Sequence, residues 1–222
     1  MKYIIFYITF LAITNSYSQK IKEDPRNQLE KEDSNDLYNA NDINELDVLE
    51  ALDLVGVQIH KFDLGEFDRK YNFYLLADEY VHGKLAKTDT LLAYHNQYHY
   101  FLEGVEKPST DYIDQIKIFT RTEENTSTLK IRTYVFGTQK EIGLSKLDNR
   151  QFFLWREYKE TKWKPEKKIP LMIFASSWLD KEHNFHRFCG VAKLSEGEEG
   201  TNELLTSSPN YIVINYKVSE PD

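Results

Sequence analysis

Residues 128–136 read "TLKIRTYVF", and their alternation decides the fold class. Successive side chains of an extended chain point to opposite faces. Leu129, Ile131, Thr133 and Val135 therefore share one face, and Lys130, Arg132, Tyr134 and Phe136 share the other. The period is two, which a helix cannot use. The same period returns in "PNYIVINYKV" (209–218), where Ile212, Ile214, Tyr216 and Val218 fall together. "KIPLMIFASSW" (168–178) is apolar on both faces, as expected of a central strand in a two-layer stack.

Working outward, further strands are expected in "LVGVQIHKF", "KYNFYLLADEYV", "KTDTLLAYH", "YHYFLEG", "DYIDQIKIFTR", "QFFLWREYK" and "HRFCGVAKL". The breaks between them carry turn chemistry: "VHGKL" around Gly83, "TEENTS" around Asn125, and "LSEGEEGTN" around Gly197 and Gly200. No long amphipathic helical window separates the strands, which argues against βαβ units. About ten strands with short connections predict a mainly β protein, an antiparallel β-sandwich with a jelly-roll-like arrangement. A closed lipocalin-like barrel is the alternative. Residues 51–222 are expected to form this single β domain.

The first eighteen residues, "MKYIIFYITFLAITNSYS", have the parts of a signal peptide. Lys2 gives the positive start, Tyr3 to Ile13 form an apolar run too short to span a bilayer, and Ser16 and Ser18 suit a cut before Gln19. An exported protein follows, in the periplasm, at the cell surface or secreted, with no transmembrane segment expected in the mature chain. Residues 19–50 are expected to be an acidic disordered spacer. Between Gln19 and Asp53 there are eleven Asp and Glu against four Lys and Arg. A short helix is expected at the end of this stretch, with Asp42 and Glu45 as a capping box and Ile43, Leu46, Leu49 and Leu52 at three-residue spacing. The remaining body is close to neutral, which argues against nucleic acid as a partner.

Several of these segments together carry a resemblance. "DLVGVQIHKF" (53–62), "YNFYLLADEYVHGKL" (71–85), "IPLMIFASSW" (169–178) and "HRFCG" (186–190) resemble an uncharacterised family of secreted proteins from Bacteroides-type gut bacteria, a domain of unknown function. The resemblance runs from about Leu52 to Val218. It implies a β-rich fold and an exported location, and it transfers no site residue. Asp89-Thr90-Leu91 is similar to the O-glycosylation sequence of exported proteins from such bacteria, so Thr90 is a candidate for modification.

The chemistry-bearing residues point away from familiar catalytic constellations. His95 and His99 lie in "AYHNQYHYF" (93–101). On one continuous strand they would share a face about 13 Å apart, too far for one metal ion. An Asn96-Gln97 hairpin would instead turn them to different sides. His183 and His186 are separated by an odd number and would diverge on a strand, while in a turn they could converge with Asp180 or Glu182. The lone cysteine, Cys189, forbids an internal disulfide and reads as a small buried hydrophobe. Asp78 and Glu79 would point apart on a strand, which does not suit paired-carboxylate catalysis. No nucleophile elbow, zinc-protease motif, phosphate loop or dinucleotide fingerprint is present.

What stands above background is aromatic content: fifteen Tyr, thirteen Phe and three Trp. Most must serve the sandwich core. Trp163, in "KETKWKPEKK", sits among lysines, so its ring either packs back as a lid or stands free for a partner. Tyr98 belongs to a stretch where tyrosines alternate with histidine. Trp163 and Tyr98 are the candidate ligand-binding residues; no catalytic residue, metal ligand or cofactor is expected. The function expected is a non-enzymatic exported module that binds a glycan or a protein at the cell envelope. A secreted hydrolase acting on polysaccharide or peptide, and a structural component of a surface assembly, are the alternatives.

Overall fold

The fourteen strands and two helices of the computed structural model lie within residues 45–104 and 106–221, which are the residues it describes. The signal-like segment, most of the acidic stretch and Asp42 lie outside the described residues. Helix α1 (Glu45–Leu54) occupies the place expected for a short helix, displaced toward the C-terminus. Residues from Glu50 onward form one compact unit.

Two open sheets make up most of this unit. The first is four-stranded: β1 (Val57–Asp63), β6 (Gln115–Glu123), β7 (Thr126–Arg132) and β8 (Gly137–Gly143), in that order. The second is six-stranded, and its order begins with β13 (Lys193–Leu194), β9 (Phe153–Tyr158) and β10 (Lys168–Ser176). It continues with β14 (Asn210–Ser219), β2 (Asn72–Val81) and β3 (Lys84–His95). All neighbours are antiparallel except β13 and β9. Two ribbons stand apart: β4 (Gln97–Tyr100) with β5 (Ser109–Tyr112), and β11 (Trp178–Asp180) with β12 (Phe185–Arg187). Each large sheet keeps two edges, so the closed barrel is excluded and the β-sandwich stands.

The inward faces follow the alternation. Ile116, Ile118, Leu129 and Ile131 of the four-stranded sheet meet Phe73, Leu75, Phe174, Ile212, Ile214 and Tyr216 of the other, all fully or almost fully buried. Each such side chain contributes about 1.5–3 kcal/mol by leaving water. Tyr216 keeps its hydroxyl satisfied by donating to the Thr161 carbonyl at 2.5 Å. Burial pushes that phenol well above its usual range.

A third layer covers the outer face of β10 and β14. Ile173, Ala175, Tyr211 and Val213 on that face pack against Trp178, Cys189, Leu194 and Leu204, the last from helix α2 (Glu199–Ser207). This explains why β10 is apolar on both faces. It also corrects the reading of "LSEGEEGTN" as a turn throughout. Gly197 turns the chain, but Gly200 lies inside α2, where an added Cβ would stand 2.6 Å from Val191 Cγ1. The helix approaches too closely for a side chain at that position. Cys189 is buried and its thiol is pushed up by desolvation, the environment expected for a small hydrophobe.

The other turns match their chemistry. His82 and Gly83, both with positive φ, close the β2–β3 hairpin in two residues. Glu124, with positive φ, and Asn125 close β6–β7, also in two residues. The alternation in 128–136, however, ends at Arg132. The Thr133 hydroxyl accepts the Val135 and Phe136 amides at 3.3 and 3.2 Å, and this side-chain turn replaces the last residues of the expected strand.

Polar contacts also join the two sheets: the Trp155 indole N–H donates to the Ser127 hydroxyl at 3.2 Å, and a charged contact lies at the rim of the core. His60 Nδ1 lies 2.8 Å from Glu157 Oε1, and Lys193 reaches the other carboxylate oxygen at 3.3 Å. The His60 hydrogen bond, outweighing partial burial, holds the Glu157 carboxyl below its usual value of 4.5. A depressed carboxyl contributes stability above its unfolded value, and that stability is lost as pH falls through the folded value. Glu157→Gln is therefore expected to be less stable than the native chain at pH 6. The gap in urea midpoint should close as pH falls below 4.5.

Candidate functional site

The stretch "AYHNQYHYF" is neither one strand nor a hairpin. It leaves the six-stranded sheet as the end of β3 and joins the small ribbon as β4, with Asn96 between. Asn96 is fully buried and acts as the pivot. Its Oδ1 accepts the Tyr71 amide at 2.8 Å, and its Nδ2 donates to the Arg69 carbonyl at 3.3 Å. Its own amide donates to the Tyr71 carbonyl, and its carbonyl accepts the Ile113 amide at 2.8 Å. Four hydrogen bonds fix one residue, so the chain changes sheets at a defined angle. His95 stacks on Tyr94, while His99 meets Thr110 at 2.9 Å. The two imidazoles serve different neighbours.

The pivot presents tyrosines to solvent. Tyr94, Tyr100 and Phe101 are 49 %, 38 % and 73 % exposed, and Tyr98 is half-buried. Tyr98 is tilted against Tyr100 and stacked on Tyr134, with ring centres 6.1 Å apart in both cases. Tyr134, in the β7–β8 turn, is 66 % exposed. Partial burial, seconded by the Asp111 carboxylate 3.4 Å from the hydroxyl, raises the Tyr98 phenol above its usual range. Three rings thus form a ladder running from the ribbon to the edge of the four-stranded sheet.

At Tyr134 the ladder enters a cleft of about 530 Å³ lined by Lys61, Gln115, Lys117, Phe119, Arg132 and Thr133. Lys61 stands opposite Lys117, and Lys117 opposite Arg132, on three neighbouring strands. All three are exposed on the solvent face of the sheet. Among the described residues none of the three forms an ion pair.

Trp163, the other candidate, takes the packed-back arrangement. It stacks on Phe67 at 4.9 Å, tilts against Tyr71 at 5.1 Å, and its indole N–H donates to the Glu66 carbonyl. It remains half-buried beside a second cleft that shares Gln115 with the first. The structure does not bring Trp163 and Tyr98 into ring contact.

One constellation was invisible in the sequence. Ser177 Oγ lies 3.2 Å from His186 Nδ1, and His186 Nε2 lies 3.4 Å from Asp148 Oδ2. These are the residue types of a hydrolase triad. Ser177, however, is fully buried, and its oxygen accepts the Phe152 amide at 3.0 Å. A nucleophile must reach its substrate, so in this conformation the group ties the 144–152 loop to β11–β12. His183 is exposed and turned to Asp180, away from His186. Among the described residues no group of three His, Cys, Asp or Glu is placed to hold a metal ion.

Fold and site define an open β-sandwich with an exposed aromatic ladder beside a cationic strand row. No helix among the described residues is long and apolar enough to cross a membrane. The chain belongs to the family described as a domain of unknown function (DUF5041), which matches residues 27–220. No curated protein and no solved structure matches it.

Proposed function

We propose that this protein is an exported, non-enzymatic binding module that holds a glycan across Tyr100, Tyr98 and Tyr134. The observation that carries the reading is the ladder itself: Tyr98 in ring contact with Tyr100 on one side and Tyr134 on the other, none fully buried, at the end of a strand switch fixed by buried hydrogen bonds. Tyrosine suits such a surface because its ring is apolar and its hydroxyl remains wet. A glycan ring offers both kinds of group, C–H faces and hydroxyls. The neighbouring cleft supplies a few polar groups that would orient it, as small-ligand sites do.

A protein partner fits less well. Protein interfaces are depleted of lysine at their centres, and two of the residues lining this cleft are lysines.

The test is affinity electrophoresis of the purified protein through gels containing single polysaccharides. Tyr134→Ala is expected to weaken retention by roughly tenfold, equivalent to about 1.4 kcal/mol. Because the ring is largely exposed, its loss should leave the melting temperature within a few degrees of the native value. Unchanged retention of Tyr134→Ala on every polysaccharide that retains the native protein would remove the ladder from the site.

A further inference from the structure

The cationic row is costly unless something offsets it. Like charges directly opposite one another across a sheet are destabilising. Lys61, Lys117 and Arg132 occupy three consecutive strands in direct register, with Lys130 also exposed on the same face of β7. Among the described residues thirteen other basic or histidine side chains form ion pairs, including Arg121 with Glu123 on the same sheet. The row does not, although the chain carries an excess of acidic residues. The Arg132 side chain lies over its cross-strand partner Gly137, where an added Cβ would stand 2.9 Å from Arg132 Cδ and 3.1 Å from its Nη1. The bare backbone at Gly137 lets the Arg132 side chain lie along the sheet beside the cleft.

Resting on the glycan reading above, we infer that the ligand is an acidic glycan. Its carboxylate or sulfate groups would lie over Lys61, Lys117 and Arg132 while its sugar rings contact the tyrosine ladder. Arg132 can hold either anion through two parallel N–H donors, and the lysines add charge without fixed geometry. Tyr134 connects the two halves, since it belongs both to the ladder and to the cleft wall.

The other lysine-rich cleft, of about 590 Å³, carries less. Its Lys159 is paired with Glu198 and its Lys168 with Asp78, and Asp63, Glu160 and Glu196 share its lining. Counting those two partners, its five lysines are matched in number by five carboxylates, which the cationic row lacks.

The experiment is a titration of the full chain with four probes: oligogalacturonate for carboxylate alone, chondroitin sulfate for sulfate together with carboxylate, neutral dextran, and poly-glutamate as an acidic peptide. The native protein should bind at least one acidic glycan about tenfold more tightly than dextran. That preference should shrink as salt rises from about 50 mM to about 300 mM. The double variant Lys117→Gln/Arg132→Gln should lose the preference, binding the acidic glycans no more tightly than dextran, and its melting temperature should be equal or higher because the repulsion is relieved. Preference for chondroitin sulfate over oligogalacturonate assigns recognition to sulfate; comparable binding of the two, or preference for oligogalacturonate, assigns it to carboxylate. Equal binding of dextran and the acidic glycans overturns this inference and leaves the glycan reading standing. Tightest binding of poly-glutamate overturns it in favour of a protein partner. Binding of none of the four overturns the inference too, and Tyr134→Ala retention then decides the broader reading separately.

Discussion

Asn96→Ala is expected to destabilise the protein by about 2–3 kcal/mol and to abolish most ligand retention. The amide side chain accepts the buried Tyr71 N–H and donates to the Arg69 carbonyl. Truncation leaves a buried donor unsatisfied, which costs about 1–3 kcal/mol, and opens a small cavity beside it. The functional loss follows from position. Asn96 sets the angle at which β3 becomes β4, and Tyr98 and Tyr100 ride on that segment. Urea denaturation measures the first effect and polysaccharide retention the second. A variant that loses stability yet keeps full retention would show that the ladder does not depend on the pivot.

Asp78→Ala is expected to cost about 3 kcal/mol. This carboxylate is almost fully buried on the outer face of the six-stranded sheet. It accepts the Thr88 hydroxyl at 2.5 Å, the Asn215 amide at 2.9 Å and the Lys168 ammonium at 2.9–3.0 Å. The network ties together residues from β2, β3, β10 and β14. Removing one member of a buried charged pair is strongly destabilising because the partners lose their acceptor together. Lys168 is partly exposed and can turn to water, which keeps the cost at the lower end of the range for such pairs. A urea midpoint within experimental error of the native value would contradict this account. Since Asp78 lies on the six-stranded sheet and the cleft is lined by residues of the four-stranded sheet and its β7–β8 turn, the variant should retain ligand normally while folded.

Much of the architecture was legible in the alternation. Leu129 and Ile131, Ile212 and Ile214, and the doubly apolar β10 all lie where a period of two places them. The hairpins at His82-Gly83 and Glu124-Asn125 were legible because turn chemistry is local. Helix α2 was not. Its segment is polar, only Thr201 and Leu204 are buried, and Gly200 signals a turn while serving close packing against Val191. Strand order was also out of reach, since nothing local tells β1 to pair with β6, more than fifty residues away.

The candidate site was half legible. Tyr98 was singled out within its aromatic stretch, and the exposure of Tyr94 and Tyr100 now separates that stretch from the core. Its partner Tyr134 was placed on a regular strand face, because the Thr133 turn that lifts it out depends on one hydroxyl. The cationic row was hidden for a different reason. Lys61, Lys117 and Arg132 are scattered in sequence, and only strand register brings them into line. The Ser177, His186 and Asp148 grouping was hidden in the same way, although burial of Ser177 gives it a structural role in this conformation.

Hydrogen–deuterium exchange of the protein, with and without saturating chondroitin sulfate or oligogalacturonate, tests the central claim most directly. Binding on the proposed face predicts added protection in residues 97–100, 115–119 and 130–137, with the lysine-rich segment 159–168 unchanged. Protection confined to 159–168, or no added protection anywhere while the ligand is bound, would contradict it.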